Sequence, residues 1–193
     1  MGKGRLEAFS DGVLAIIITI MVLELKVPHG TDLESVRHVW PPFAAYVVSF
    51  AYVAIYWNNH HHLVHTVKHV DGWIMWANMH LLFWLSLIPK TTEWVGEDLR
   101  AALPCAAYAT VMLLSALAYQ LLQRAILRHG ENQELAAAIS RDLKGKLSLA
   151  AYVGAVVLAF VSSWISIALI VAVAIAWVVP DRRVTKVVGK HGA

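Results

Sequence analysis

Charged residues divide this chain into long uncharged stretches. Asp, Glu, Lys and Arg are absent from residues 12–23, 39–67, 72–89, 101–123 and 147–180. A helix needs roughly 20 apolar residues to cross a bilayer, with a lower limit near 17. The first stretch is short alone, but reaches residues 8–26 if Asp11 and Glu24 sit at the two interfaces. The last covers 34 residues, about 51 Å as one helix. That is too long for one crossing and enough for two short ones turned at Ser162-Ser163-Trp164. The pattern predicts an all-α membrane protein with helices over 8–26, 39–58, 73–90, 102–123, 146–162 and 164–180, forming a single domain over 1–193.

Charge asymmetry selects six crossings over five. With six, one side of the membrane carries Lys3, Arg5, Lys68, Arg124, Arg128, Arg141, Lys144, Lys146, Arg182, Arg183, Lys186 and Lys190. The other carries only Lys26, Arg37, Lys90 and Arg100, beside Glu24, Asp32, Glu34, Glu93, Glu97 and Asp98. Positive-inside orientation then puts both termini in the cytoplasm. Trp40, Trp57, Trp73, Trp94 and Trp177 fall near helix ends, as an interfacial aromatic belt requires. Pro89, which cannot donate an N–H, is expected to mark the outer end of the third helix.

Composition agrees. Hydrophobic residues make up 59% of the chain and charged residues 15%, against about 25% charged in a soluble domain. Lone Cys105 excludes an internal disulfide framework. No cleavable signal peptide is expected, because an Asp precedes the first apolar run and no small-residue cleavage site follows it. The one sizeable polar segment is 124–146, within which 134–143 predicts a short interfacial or cytoplasmic helix. Its basic residues suit solvent or lipid headgroups, and no nucleic-acid partner is expected.

Candidate chemistry sits first at the mouth of the opening helix, where Arg5, Ser10 and Asp11 precede an apolar run. Ionisable groups entering lipid are costly unless buried and paired. Arg5 and Asp11 are six residues apart, about 240° around a helix, so they cannot pair directly. Asp11 is expected to find partners on neighbouring helices among Asn58, His61, Asn78 and His80. Further along, Ile16, Thr19, Ile20 and Leu23 share one face, but the opposite face of Leu14, Ile17, Ile18 and Val22 is equally apolar. Periodicity alone does not choose between them. His61, His65 and His69 recur every fourth residue and would form a stripe on a helix, a geometry open to metal binding or to pH sensing. The expected reading is a polar interfacial ending to helix 2, with no metal. His80 raises a haem ligand, but no deep partner histidine faces it. No nucleophile elbow or triad is present, so an enzyme is not expected.

Arg5-x-x-x-Phe9-Ser10-Asp11 at the start of a first membrane helix resembles the prokaryotic members of the lysosomal potassium channel family (transmembrane protein 175). The resemblance implies a homotetramer of six-helix subunits, with helix 1 lining a central pore. It puts a hydrophobic constriction on Ile16, followed by Thr19, Ile20 and Leu23. It implies that Arg5, Ser10 and Asp11, beside Phe9, tie together the inner ends of the first three helices. The expected function is a potassium-permeable leak channel of the bacterial inner (plasma) membrane, passing potassium and other monovalent cations without a cofactor. Two other readings stay open: a metal or proton transporter using His61, His65, His69 and Asp11, and a haem-bearing electron-transfer subunit.

Overall fold

The computed structural model describes residues 2–67, 69–128 and 143–178, and every regular element among them is a helix. These are α1 (Lys3–Leu23), α2 (Leu33–His65), α3 (Gly72–Leu85), α4 (Ile88–Glu97), α5 (Ala102–Leu127), α6 (Leu143–Leu158) and α7 (Ser163–Val178). Counting α3 and α4 as halves of one bent helix gives six. The short helix expected over 134–143 lies almost wholly outside the described residues, as do Lys68, Lys190 and the rest of the C-terminal basic cluster.

The helices run past the boundaries that charge suggests. α2 was expected over 39–58 but begins at Leu33 and continues to His65. At 33 residues it is about 50 Å long, well beyond the roughly 30 Å of hydrocarbon. Asp32 starts it by accepting a hydrogen bond from the Ser35 N–H at 2.9 Å, a side-chain N-cap. Hydrogen bonds from Ser35, hydroxyl first, hold the Asp32 carboxyl below its ordinary range. The third helix also differs from expectation. Pro89 does not end it; the chain bends at Ser86–Leu87 and Pro89 takes a first-turn position in α4, where its missing N–H costs nothing. The proline ring would meet the Leu85 carbonyl of an unbroken helix, which puts the bend four residues upstream.

α5 packs against α3, α4, α6 and α7, while α1 lies on α2, α3 and α4. α2 joins these groups through a buried stripe of Ala45, Ser49, Tyr52, Val53, Tyr56, His60, Leu63 and Val64. Its polar members are pegs. Ser49 Oγ lies 2.7 Å from Thr92 Oγ1 on α4 and 2.8 Å from Tyr108 Oη on α5. Tyr52 donates to the Ile170 carbonyl on α7 at 2.6 Å and accepts from the Tyr152 hydroxyl on α6 at 3.2 Å. Tyr119 on α5 donates to the Asn59 carbonyl at 3.1 Å. The turn between α6 and α7 is tied to the loop before α5, where the Ser163 hydroxyl donates to the Arg100 carbonyl at 2.8 Å.

α4 approaches α2 closely at one point. A Cβ on Gly96 would stand 2.9 Å from Pro42 Cα, a backbone atom that no rotamer change can move. Gly96→Ala must push the two helices apart and should destabilise by about 1–3 kcal/mol, read as a lower midpoint of thermal unfolding in detergent. At Gly154 the added methyl would meet only Leu169 Cδ1 at 3.6 Å. Gly154→Ala should therefore be neutral or mildly stabilising, and equal losses at both positions would remove the argument from close approach.

Candidate functional site: a polar latch and an uncovered helix face

α1 buries Leu6, Ser10, Leu14, Ile17 and Met21, one face at helical spacing. Ser10 is fully buried, and its hydroxyl donates to the Leu6 carbonyl at 2.8 Å while accepting from Asn78 Nδ2 at 3.0 Å. Asn78, also fully buried on α3, uses its Oδ1 to accept from His60 Nε2 of α2 at 2.7 Å. With the amide in this orientation, Nε2 carries the imidazole proton. The chain Ser10–Asn78–His60 therefore joins α1, α3 and α2 in an uncharged core. A buried carboxamide with both ends satisfied specifies orientation, because any rotation of either helix leaves a donor or acceptor unpaired.

Asp11 sits at the rim of this latch. Its Oδ1 accepts the Trp57 indole N–H of α2 at 3.0 Å, on the exposed side. Nearer the terminus, Lys3 Nζ donates to the His65 carbonyl at 2.6 Å and lies 3.9 Å from Glu7. The Arg5 side chain is exposed, and its guanidinium makes no hydrogen bond or ion pair with the described residues of its own subunit. Phe9 is half exposed.

Of the four partners anticipated for Asp11, only Asn78 joins the latch, and it does so through Ser10. Asn58 and His61 each lie one residue from the side chains used, Trp57 and His60, and one residue turns a helix by 100°. His80 is exposed on α3 and its Nε2 accepts the Trp84 indole N–H at 2.9 Å. His60 lies beyond the helix expected over 39–58, whereas Trp57 lies inside it, where its place near the helix end suggests only an interfacial aromatic. Carrying the stripe of Ser49, Tyr52 and Tyr56 one turn further would have placed His60 inside. The histidine stripe is likewise cut short. His61 stacks between Trp57 and His65, but α2 stops at His65 and His69 lies beyond it. Among the described residues, no three His, Cys, Asp or Glu side chains cluster as metal ligands would.

The latch fixes which side of α1 is left over. Arg5, Phe9, Gly12, Ile16, Thr19 and Leu23 are all exposed on the subunit, with Ile16 at 58% and Leu23 at 82%; Ile20, beside them, is at 41%. Their spacing alternates four and three residues, the period of a helix seam that faces other helices around an axis. The Thr19 hydroxyl donates to the Ile16 carbonyl at 2.9 Å, leaving its oxygen as an acceptor on this face.

Long apolar helices pinned by buried uncharged hydrogen bonds define a multi-pass membrane protein. The chain belongs to the family of the endosomal/lysosomal potassium channel TMEM175, whose profile matches residues 5–89. It is 53% identical over 187 residues to a potassium channel of Chryseobacterium sp. (strain P1-3), covering 96% of this chain and 97% of the relative. A potassium channel of Streptomyces collinus is 37% identical over 178 residues, 86% of each chain. The crystal structure of a lysosomal potassium-selective channel TMEM175 homolog from Chamaesiphon minutus superposes with a TM-score of 0.78 at 31% identity, covering 91% of this chain and 96% of that one. The family is one of ion channels and not of enzymes.

The latch geometry ranks three substitutions. Asn78→Leu strands the His60 N–H and should cost most, at about 1–3 kcal/mol for each buried group left unpaired. Ser10→Ala removes only the acceptor for Asn78 and should cost less. Asp11→Asn keeps an oxygen for Trp57 and should be nearly neutral. Thermal unfolding in detergent reads the order, and a larger loss at Asp11 than at Asn78 would transfer the structural role to the carboxylate.

Proposed function

We propose that this protein is a potassium-permeable leak channel, a homotetramer in which four copies of α1 line the conduction path. The observation that carries the proposal is the seam of Arg5, Phe9, Gly12, Ile16, Thr19 and Leu23, uncovered on the subunit and spaced for assembly around an axis. Identical chains in cyclic symmetry turn one such face into a closed ring. The potassium channels among its relatives supply the ion; other monovalent cations would pass less readily.

Ile16 forms the constriction in this proposal. Four inward isoleucines make a short apolar neck that empties of water when narrow and penalises ions that hold their hydration tightly. Potassium yields its water more easily than sodium. One turn on, the Thr19 oxygens offer partial replacement for the lost shell, followed by Ile20 and Leu23. The chain has no Thr-Val-Gly-Tyr-Gly carbonyl filter, so discrimination rests on side chains. Ile16→Asn should wet the neck, raise single-channel conductance several-fold and weaken discrimination between potassium and sodium in planar bilayers. Val22, about 47% exposed but off the seam, is the control: Val22→Asn should leave selectivity alone. Unchanged conductance and selectivity in a correctly assembled Ile16→Asn tetramer would remove α1 from the pore.

The proposed setting is the bacterial plasma membrane with both termini cytoplasmic, as the distribution of Lys and Arg favours. Val161 lies exposed in the turn between α6 and α7. In a Cys105→Ala background, Val161→Cys should react with a membrane-impermeant maleimide applied to intact cells, and Gly2→Cys should not. Labelling of position 2 from outside would reverse the orientation.

A further inference from the structure

A second surface lies away from the α1 seam, where the start of α3 meets the end of α5. Trp73 and Trp76 are each 70% exposed, one turn apart on α3. On α5, Leu117, Leu121, Arg124 and Arg128 recur at spacings of four, three and four, and all are exposed. The two stripes meet at one end of the bundle, where the Arg128 guanidinium stands 6.0 Å from the Trp73 ring centroid. Neither Arg124 nor Arg128 forms an ion pair with a described residue. Two guanidiniums with no acidic partner among the described residues thus top a strip that turns aromatic and then aliphatic toward the membrane centre.

We propose that this face binds an anionic phospholipid, with its phosphate between Arg124 and Arg128 and an acyl chain along Trp76, Leu121 and Leu117. The order of chemistry along the strip is that of the lipid itself. A guanidinium lying against an indole keeps its in-plane N–H donors free, and that fork matches two phosphate oxygens. Indoles favour the headgroup level, where one edge meets water and the ring meets hydrocarbon. Basic sites between membrane helices recognise anionic headgroups by the same logic. The inference rests on the multi-pass membrane reading, and neither on the pore nor on the orientation.

The test uses the full chain in phosphatidylcholine vesicles doped with brominated phosphatidylglycerol or, at the same mole fraction, brominated phosphatidylcholine. Bromine quenches tryptophan only at contact, and subtracting the emission of Trp73→Phe isolates Trp73. Brominated phosphatidylglycerol should quench Trp73 more strongly than brominated phosphatidylcholine. Changing Arg124→Gln and Arg128→Gln together should reduce that preference by about one order of magnitude. The matching Arg124→Lys and Arg128→Lys protein keeps the charge and should keep most of the preference, which guards against a fold defect. Equal quenching by the two lipids in the parent protein would overturn the proposal, and so would a preference untouched by the Gln changes. Loss of the tetramer in the Gln protein, with no lipid preference in the parent, would make this face a contact between copies and likewise overturn it.

Discussion

In a bilayer, apolar contact between helices gains little, because lipid tails solvate leucine as well as another helix does. What remains is close packing and hydrogen bonding, and here both run through α2. Ser49, Tyr52, Trp57 and His60 each reach a different neighbour: α4 and α5, α6 and α7, α1, and α3. Each bond is worth only about 0.6 kcal/mol on average in such a setting. Their combined effect lies in angle more than in energy. A peg satisfied at one rotation is unsatisfied at every other, so the stripe sets the phase of the helices around it.

α1 depends most on that constraint. Its two faces are equally apolar, and burial alone would accept either. The Ser10–Asn78–His60 chain breaks the tie by turning Leu6, Leu14, Ile17 and Met21 inward. Ile16, Thr19 and Leu23 are left outside as a consequence. A function that depends on which residues face an axis can therefore be lost at Asn78 without touching the seam itself.

The sequence exposes the helices because charge is excluded from hydrocarbon, and uncharged runs mark where lipid must be. It hides their ends for the same reason: Lys, Glu and His continue a helix freely once it reaches water. α2 thus gains residues at both ends, and α4 continues past Pro89 with Lys90, Glu93 and Glu97 on its surface. The site divides along similar lines. Ser10 and Asp11 are conspicuous as polar groups at the mouth of an apolar helix. Their partners depend on the rotation of α2, which no local pattern reports while its C-terminal turns are assigned to a loop. The slip from His60 to His61, and from Trp57 to Asn58, is one residue each time. Arg5 is a different case, since no described residue of the subunit pairs with its guanidinium.

The two ends of α1 are held by forces of different kinds. At the N-terminal end the latch is buried, uncharged and insensitive to salt. At the C-terminal end, past Leu23, an ion pair reaches α4, with Lys26 beside Glu97 at 3.8 Å and both side chains more than half exposed. Such pairs contribute little and weaken as ionic strength rises. Ser10 and Leu23 stand about 20 Å apart along the axis. Ile16 lies between, about 9 Å from the latch, opposite the buried Leu14 and Ile17. Any tilt of α1 about its anchored end displaces Leu23 roughly twice as far as Ile16. In the proposed pore the Ile16 ring would thus lie nearer the latch than Leu23 does.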